Sequence, residues 1–310
     1  MAEFALTIIG SGSALPMHGR HPSAQVVQYD DIFCLIDCGE STQMHLRSAG
    51  IRPFKIDLVL ISHLHGDHVF GLPGLLSSFS HLQRKEELSV FGPVGIKGLL
   101  DEIMKYTELK INYPLNIYEQ SPTTLTKIWS KGNFEISTFP LNHRIPCNGY
   151  LLKEISPVLK LKKEGLENLQ LSIEQIHALQ KGEDILVGDK KIENAKLTFG
   201  KDRVHSYAYC SDTRFDERII PWIKSASVLY HETTFKNELS KMAEQTGHTT
   251  AGDAGRMARE AGVSCLITGH YSSRYKQALE LIDEAKMHFP NVLEAIEGKK
   301  YNLRLVSQSL

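Results

Sequence analysis

One stretch limits what this chain can fold into: Asp57 to Leu75, reading DLVLISHLHGDHVFGLPGL. It opens with Leu58, Val59, Leu60 and Ile61, a continuous apolar run of the kind that forms a strand buried on both faces. His63, His65, Asp67 and His68 follow that run, and after them come Gly71, Pro73 and Gly74. Positions i, i+2, i+4 and i+5 do not share one helix face, so this is not the histidine pair of a helical H-E-x-x-H site. The four side chains converge if the backbone turns tightly past a strand end, and Gly66 supplies freedom for that turn. Neutral imidazole and carboxylate are ligands that zinc and similar divalent ions prefer. Four such groups within six residues exceed the needs of one tetrahedral zinc with an open position, which points to two metals sharing one loop. Without further ligands from elsewhere, the same residues would be only an exposed histidine-rich turn.

Several later strands end in residues of the required type. Phe134 to Pro140 reads as a strand that delivers Leu141-Asn142-His143; Val204 to Cys210 delivers Ser211-Asp212-Thr213. Ser227 to Tyr230 delivers His231-Glu232-Thr233, and Cys265 to Thr268 delivers Gly269-His270. Gly247-His248-Thr249-Thr250 opens an alanine-rich helix through Ala261, with Thr249 or Thr250 as N-cap and Gly262 as the stop. Open α/β sheets collect their sites at strand ends, so this recurrence lifts His143, Asp212 and His270 above what each would merit alone.

The first part of the chain has the same character. Phe4 to Ile9 is a strand closed by Gly10-Ser11-Gly12-Ser13, either a tight turn or a segment lining the site. Ala24 to Tyr29 and Ile32 to Ile36 pair around the Asp30-Asp31 turn, and the second delivers Asp37, a carboxylate placed to support the histidine loop from behind. Helices are expected from Ser41 to Ser48, Gly74 to His81 and Gly95 to Tyr106, with a strand from Leu88 to Phe91 closed by Gly92-Pro93.

Composition narrows the class. A chain of 310 residues with 42% hydrophobic content can bury a substantial core. With 35 basic against 36 acidic residues it is not a strongly basic nucleic-acid protein, so any RNA contact must come from a local patch. Five cysteines, odd in number and with no Cys-x-x-Cys, read as buried thiols in a reducing cytoplasm. No apolar stretch reaches transmembrane length, and the N-terminus lacks the pattern of a secretory signal. From about Lys153 to Gly200 the strand regularity weakens, and Lys153, Lys160, Lys162, Lys163, Lys181, Lys190, Lys191 and Lys196 are interleaved with Leu and Ile. This reads as an insertion or protruding arm on one domain spanning 1–310, with a short helix from Ser172 to Gln180 inside it.

GSGSALP, LIDCGESTQ, SHLHGDHVFGLPGLL, LNHRIPCNGY, YCSDTR, HETT, GHTTAGDAG and TGHYSSRY occur in that order along nearly the whole chain. In these motifs the sequence resembles the short form of the ribonuclease Z family, tRNA 3′-processing endonucleases of the metallo-β-lactamase superfamily. The resemblance implies an α/β fold, a four-layer αββα sandwich with the metals at one edge. It implies one zinc held by His63, His65 and His143, a second held by Asp67, His68 and His270, and Asp212 bridging both. It further implies a homodimer whose arm, here 153–200, grips precursor tRNA. In the mechanism that follows, Asp67 orients or deprotonates water and His248, held by Glu232, protonates the departing oxygen. The first loop departs from the family's P-x-K-x-R-N pattern: it reads Pro16-Met17-His18-Gly19-Arg20-His21, without the usual lysine and asparagine. Two alternatives share the metal ligands: a small-molecule phosphodiesterase or esterase of the same superfamily, and a non-catalytic, metal-stabilised RNA-binding protein.

Overall fold

The computed structural model describes residues 3–155, 159–166, 169–188, 190–199 and 204–308. They divide into two compact units: Met1–Trp129, Ile136–Leu152 and Ser206–Leu310 form the first, and Ser130–Glu135 with Lys153–His205 the second. Residues 156–158, 167–168, 189 and 200, which fall in the expected arm, lie outside the described residues.

Two seven-stranded sheets carry the architecture. The first runs, in spatial order, Lys300–Asn302, Phe4–Gly10, Ala24–Tyr29, Ile32–Ile36, Ile56–Leu60, Leu88–Pro93 and Leu115–Gln120. The second runs Val292–Glu294, Leu266–Gly269, Val228–Glu232, Ser206–Cys210, Cys147–Glu154, Phe134–Leu141 and Thr126–Lys131. In the first sheet the four strands from Ile32–Ile36 onward are parallel, and so are the four from Ser206–Cys210 to Val292–Glu294 in the second. Parallel strands bury both faces, which is why LVL at 58–60 and VLY at 228–230 are unbroken apolar runs.

Helices cover the outer faces. Leu46 of Thr42–Ser48, Leu72, Leu75, Leu76 and Phe79 of Leu72–His81, and Ile96 and Leu100 of Ile96–Tyr106 pack with Ile9, Leu35, Val59 and Val90 of the first sheet. Met257 and Ala258 of Ala251–Ala261 and Leu281 and Ala285 of Leu279–Lys286 pack with Ala208, Leu229 and Leu266 of the second. The fold is the four-layer αββα sandwich. Between the layers, tyrosine hydroxyls reach from the second sheet to the first: Tyr207 donates to Gln25, Tyr209 to Asp37 at 2.7 Å, and Tyr150 to the Ile61 carbonyl at 2.7 Å. All five cysteines are buried and free. No helix among the described residues is long and apolar enough to cross a membrane.

The second unit has its own small core of Leu179, Ile185 and Leu197, with Leu161, Leu166 and Leu171 against it. Its helix, Ile173–Lys181, begins at a capping box: Ser172 Oγ accepts from the Gln175 amide, and the Gln175 side chain returns to the Ser172 amide. Gly182 closes it in the left-handed conformation.

Several boundaries differ from the sequence expectation for identifiable reasons. The helix expected from Gly74 begins at Leu72, because Pro73 fits the first turn, where its missing N–H is no loss. The strand expected to stop at Tyr230 continues through Glu232, since pairing with Leu266–Gly269 persists to Glu232 and Gly269. Cys147–Glu154, Leu115–Gln120 and Thr126–Lys131 are strands that the residue pattern did not mark; the last two are partly exposed edge elements without strong apolar alternation. Gly66 does not supply turn freedom: its φ is not positive, and it begins the short helix Gly66–Val69. A Cβ there would lie 2.4 Å from the Phe70 ring, which would have to swing away.

Gly71 meets backbone instead. A Cβ at 71 would sit 2.0 Å from the Gly39 carbonyl oxygen, and the Gly71 amide donates to Cys38 O at 2.9 Å. Gly71→Ala is therefore expected to destabilise by about 1–3 kcal/mol or more in denaturant titration. Gly98, in the helix Ile96–Tyr106 with open space around it, gives the opposite sign: Gly98→Ala should stabilise by about 0.4–1 kcal/mol.

Candidate metal centre

Parallel register brings the strand ends level. Ile36 pairs with Leu60, Cys210 with His231, and Glu232 with Gly269, so the residues just beyond them emerge along one edge of the sandwich. Asp37, His63, Asp212 and His270 all lie there and are almost completely buried. Asp37 and His270 adopt left-handed backbone, with φ of 58° and 56°, a conformation that Asp and His tolerate better than most residues.

The ring orientations of the histidines are set from behind. Ser62 Oγ gives its proton to Asp37 Oδ2 at 2.9 Å, so it accepts from His63 Nδ1 at 3.0 Å. His68 Nδ1 donates to Asp37 Oδ2 at 2.8 Å, and His143 Nδ1 to the Gly247 carbonyl at 2.7 Å. Thr234 Oγ1 donates to Glu232 Oε2 at 2.5 Å and accepts from His270 Nδ1 at 2.9 Å. With Nδ1 committed outward, Nε2 of each ring turns inward. This is the arrangement in which an outer partner fixes the tautomer of a ligating imidazole.

Two clusters result. Ligand atoms of His63, His65, His143 and Asp212 lie within 4.8 Å of one another, as do those of Asp67, His68 and His270. His63 Nε2 is 3.0 Å from His65 Nδ1, and His143 Nε2 is 3.3 Å from the same atom. Asp212 faces both sides. Its Oδ2 is 3.6 Å from His63 Nε2 and 3.9 Å from His143 Nε2, while Oδ1 is 3.1 Å from His270 Nε2 and 3.4 Å from His68 Nε2. Nitrogen lone pairs aimed at one another across such distances repel unless something positive sits between them, so the donor set fits divalent cations.

Protons respond to the same field. Burial pushes the His68 imidazole down, but Asp212, Asp67 and Asp37 outweigh it and raise the group to about 10. Burial would push the Asp67 carboxyl up, yet His68 and His270 hold it well below the usual carboxylate range. His63, by contrast, is lowered by burial and by the neighbouring His68. Asp67 Oδ2 also accepts from the Ala14 amide at 2.8 Å, which brings the first loop to the site. Arg20 in that loop donates to the Tyr275 carbonyl at 2.8 Å and lies over the Tyr271 ring.

His248 sits at the rim. Its Nδ1 is 3.0 Å from Glu232 Oε1 and 3.8 Å from Asp212 Oδ2, and Glu232 is anchored by the Thr213 amide at 2.9 Å. Asp212, His248 and His270 are also close enough to form a ligand group. All of the sequence-derived site residues thus meet at one edge. The residues that reasoning from sequence passed over are the outer partners: Ser62, Tyr209, Thr213, Thr234 and the Gly247 carbonyl. Ser62 and Thr234 lie within the SHLHGDH and HETT segments, but their service through hydroxyls leaves no mark in spacing.

Ribonuclease Z of Bacteroides fragilis is 36% identical to this chain over 299 residues, covering 96% of the chain and 98% of the relative. That of Porphyromonas gingivalis is 37% identical over 304 residues, covering 98% and 100%; that of Cytophaga hutchinsonii is 39% identical over 301 residues, covering 96% of each. The chain belongs to the ribonuclease Z family. Consistently, the beta-lactamase superfamily domain matches residues 34–271, and as a member the chain is a metal-dependent hydrolase. The human short-form tRNase Z structure superposes with a TM-score of 0.71 at 22% identity, covering 96% of this chain and 99% of that one. A diphosphatase of the PhnP family superposes at 0.63 and 16% identity, covering 96% and 97%. Ribonuclease Z members thus share this sandwich with hydrolases of other specificity.

Asp37 offers a direct test of the outer partners. Asp37→Asn keeps the shape but removes the charge behind His68, and is expected to weaken divalent-metal affinity about 10–100-fold in chelator competition. Unchanged affinity would remove Asp37 from any supporting part.

Proposed function

We propose that this protein is a metal-dependent endoribonuclease that removes the 3′ trailer from precursor tRNA, leaving a tRNA 3′-hydroxyl and a 5′-phosphorylated trailer. The observation that carries this reading is Asp212 presenting one carboxylate oxygen to each of two ligand clusters, in a chain aligned nearly end to end with ribonuclease Z relatives. His63, His65 and His143 would hold one ion and Asp67, His68 and His270 the other, with Asp212 shared. The nitrogen and oxygen donors suit zinc, two per subunit. Ions so placed supply charge neutralisation on the phosphodiester and an activated water.

The protein's own groups divide the remaining work. A carboxylate held as low as Asp67 is a weak proton acceptor, so its part is to orient the attacking water. His248 is the proton donor to the departing tRNA O3′. Burial pulls its imidazole down, but Glu232, by charge and hydrogen bond, and then Asp212 raise it to about 9, so it is cationic at neutral pH. Lys163, Lys181, Lys190, Lys191 and Lys196 are exposed in the second unit and suit sequence-independent phosphate contacts, supporting a role for 153–200 as a tRNA-binding arm. A homodimer working in the cytoplasm completes the reading.

Three outcomes follow. His248→Ala should retain metal yet cleave on the order of 10²–10⁴-fold more slowly. Because the proton donor is lost as pH rises, wild-type turnover should fall on the alkaline side near pH 9, and Glu232→Gln should move that limb to lower pH. Deleting 153–200 should cripple precursor-tRNA cleavage while sparing bis(p-nitrophenyl) phosphate hydrolysis; equal losses would favour the small-molecule phosphodiesterase reading.

A further inference from the structure

The loop that brings the densest set of metal-type ligands also displays an aromatic ring that the sandwich does not use. Phe70 is 67% exposed, although it stands two residues after the fully buried His68 and two before the fully buried Leu72. Its backbone is fixed on both sides: the Phe70 amide donates to Gly66 O at 3.0 Å, and the Gly71 amide to Cys38 O at 2.9 Å. The ring lies beside residue 66, between two of the ligand residues: an added Cβ there would come within 2.4–2.9 Å of three ring carbons, while most of the side chain stays in solvent. A large apolar group left so exposed gains little from burial at that position, and what sets it apart from other exposed apolar residues is its place in the ligand loop.

What lies beside it narrows the occupant. Asp67 and His68, within the same short helix, belong to the ligand cluster. Asp67 also receives the Ala14 amide, and the next apolar residues of that loop, Leu15 and Met17, are 57% and 46% exposed. The loop on the Asp67 side thus exposes apolar side chains near the ligand cluster, which a phosphodiester alone does not call for. Nucleotides carry both kinds of surface, a charged backbone and a flat base, and an exposed aromatic ring is the usual platform for an unpaired base.

We propose that Phe70 is a specificity-determining residue that stacks on a nucleobase next to the scissile phosphate, setting which phosphodiester of the single strand enters the site. This rests on the reading of the protein as an RNA endonuclease. Stacking makes the enzyme prefer a flexible, unpaired nucleotide at the cut, since a base paired in a duplex cannot leave its neighbours to meet the ring. It also places the chain's register on the ring and leaves the protonation steps to His248.

Single-turnover cleavage of a precursor tRNA over a range of enzyme concentrations separates half-saturation from the limiting rate. Phe70→Ala should raise the half-saturating concentration on the order of ten-fold and blur the cut over neighbouring positions. Phe70→Leu, apolar but not flat, should do nearly the same, and Phe70→Trp should keep both affinity and cut position. Metal content and thermal midpoint should stay at wild-type values in all three, as expected for an exposed side chain. A 2-aminopurine placed beside the cut should be quenched on binding wild type and Phe70→Trp but not Phe70→Leu. Wild-type affinity and cut position in Phe70→Ala or Phe70→Leu would overturn the proposal. If the wild type itself neither binds nor cuts precursor tRNA, it is the reading of the enzyme's substrate that fails.

Discussion

Imidazole nitrogens of His63, His65 and His143 face one another at 3.0–3.3 Å, and the edge of the sandwich is arranged around that crowding of donors. Buried groups of like polarity at such range are costly unless a positive charge is shared among them. Four of the rings, His63, His68, His143 and His270, keep the Nδ1 proton on the far side, against Ser62, Asp37, the Gly247 carbonyl and Thr234, so their Nε2 lone pairs point inward. What remains is a choice between binding a cation and binding an extra proton. His68, raised to about 10 by three carboxylates, shows the second option, and metal binding must compete with it, releasing a proton as it does so.

The same logic separates the two histidines that lie near Asp212 on opposite terms. His63 is backed by a neutral hydroxyl and lowered by burial, so it offers a lone pair. His248 is backed by the Glu232 carboxylate and raised, so it offers a proton. One residue type is thus tuned in opposite directions within one site by what stands behind the ring and by burial.

Much of this was legible in the residues themselves. The buried strand before His63, and the strands before His143, Asp212 and His270, are unbroken or alternating apolar runs whose ends are easily seen, and the ligands follow directly. The Ser172 helix start was equally plain, and the second helix start was narrowed to Thr249 or Thr250, of which Thr250 is the cap, because capping side chains act on their own neighbours in sequence. Less was visible where the cause is remote. Cys147–Glu154 is a strand because of the sheet it joins, and Gly71 is a glycine because of the Gly39 carbonyl that only folding brings near. Even the pairing of Glu232 with His248 entered through family resemblance, since sixteen positions separate them and no local pattern links the two.

The tyrosines between the sheets have a consequence for the pair of clusters. Tyr209 ties the strand that leads to Asp212 to Asp37, which in turn holds His68, and Tyr150 ties its strand to the carbonyl just before Ser62 and His63. Ligands from both sheets are therefore gauged by rigid phenol rings of fixed length, not by the compliance of surface loops. The sandwich works as a calliper: substitutions along its rim can retune what approaches the centre without altering the span at which the two halves stand.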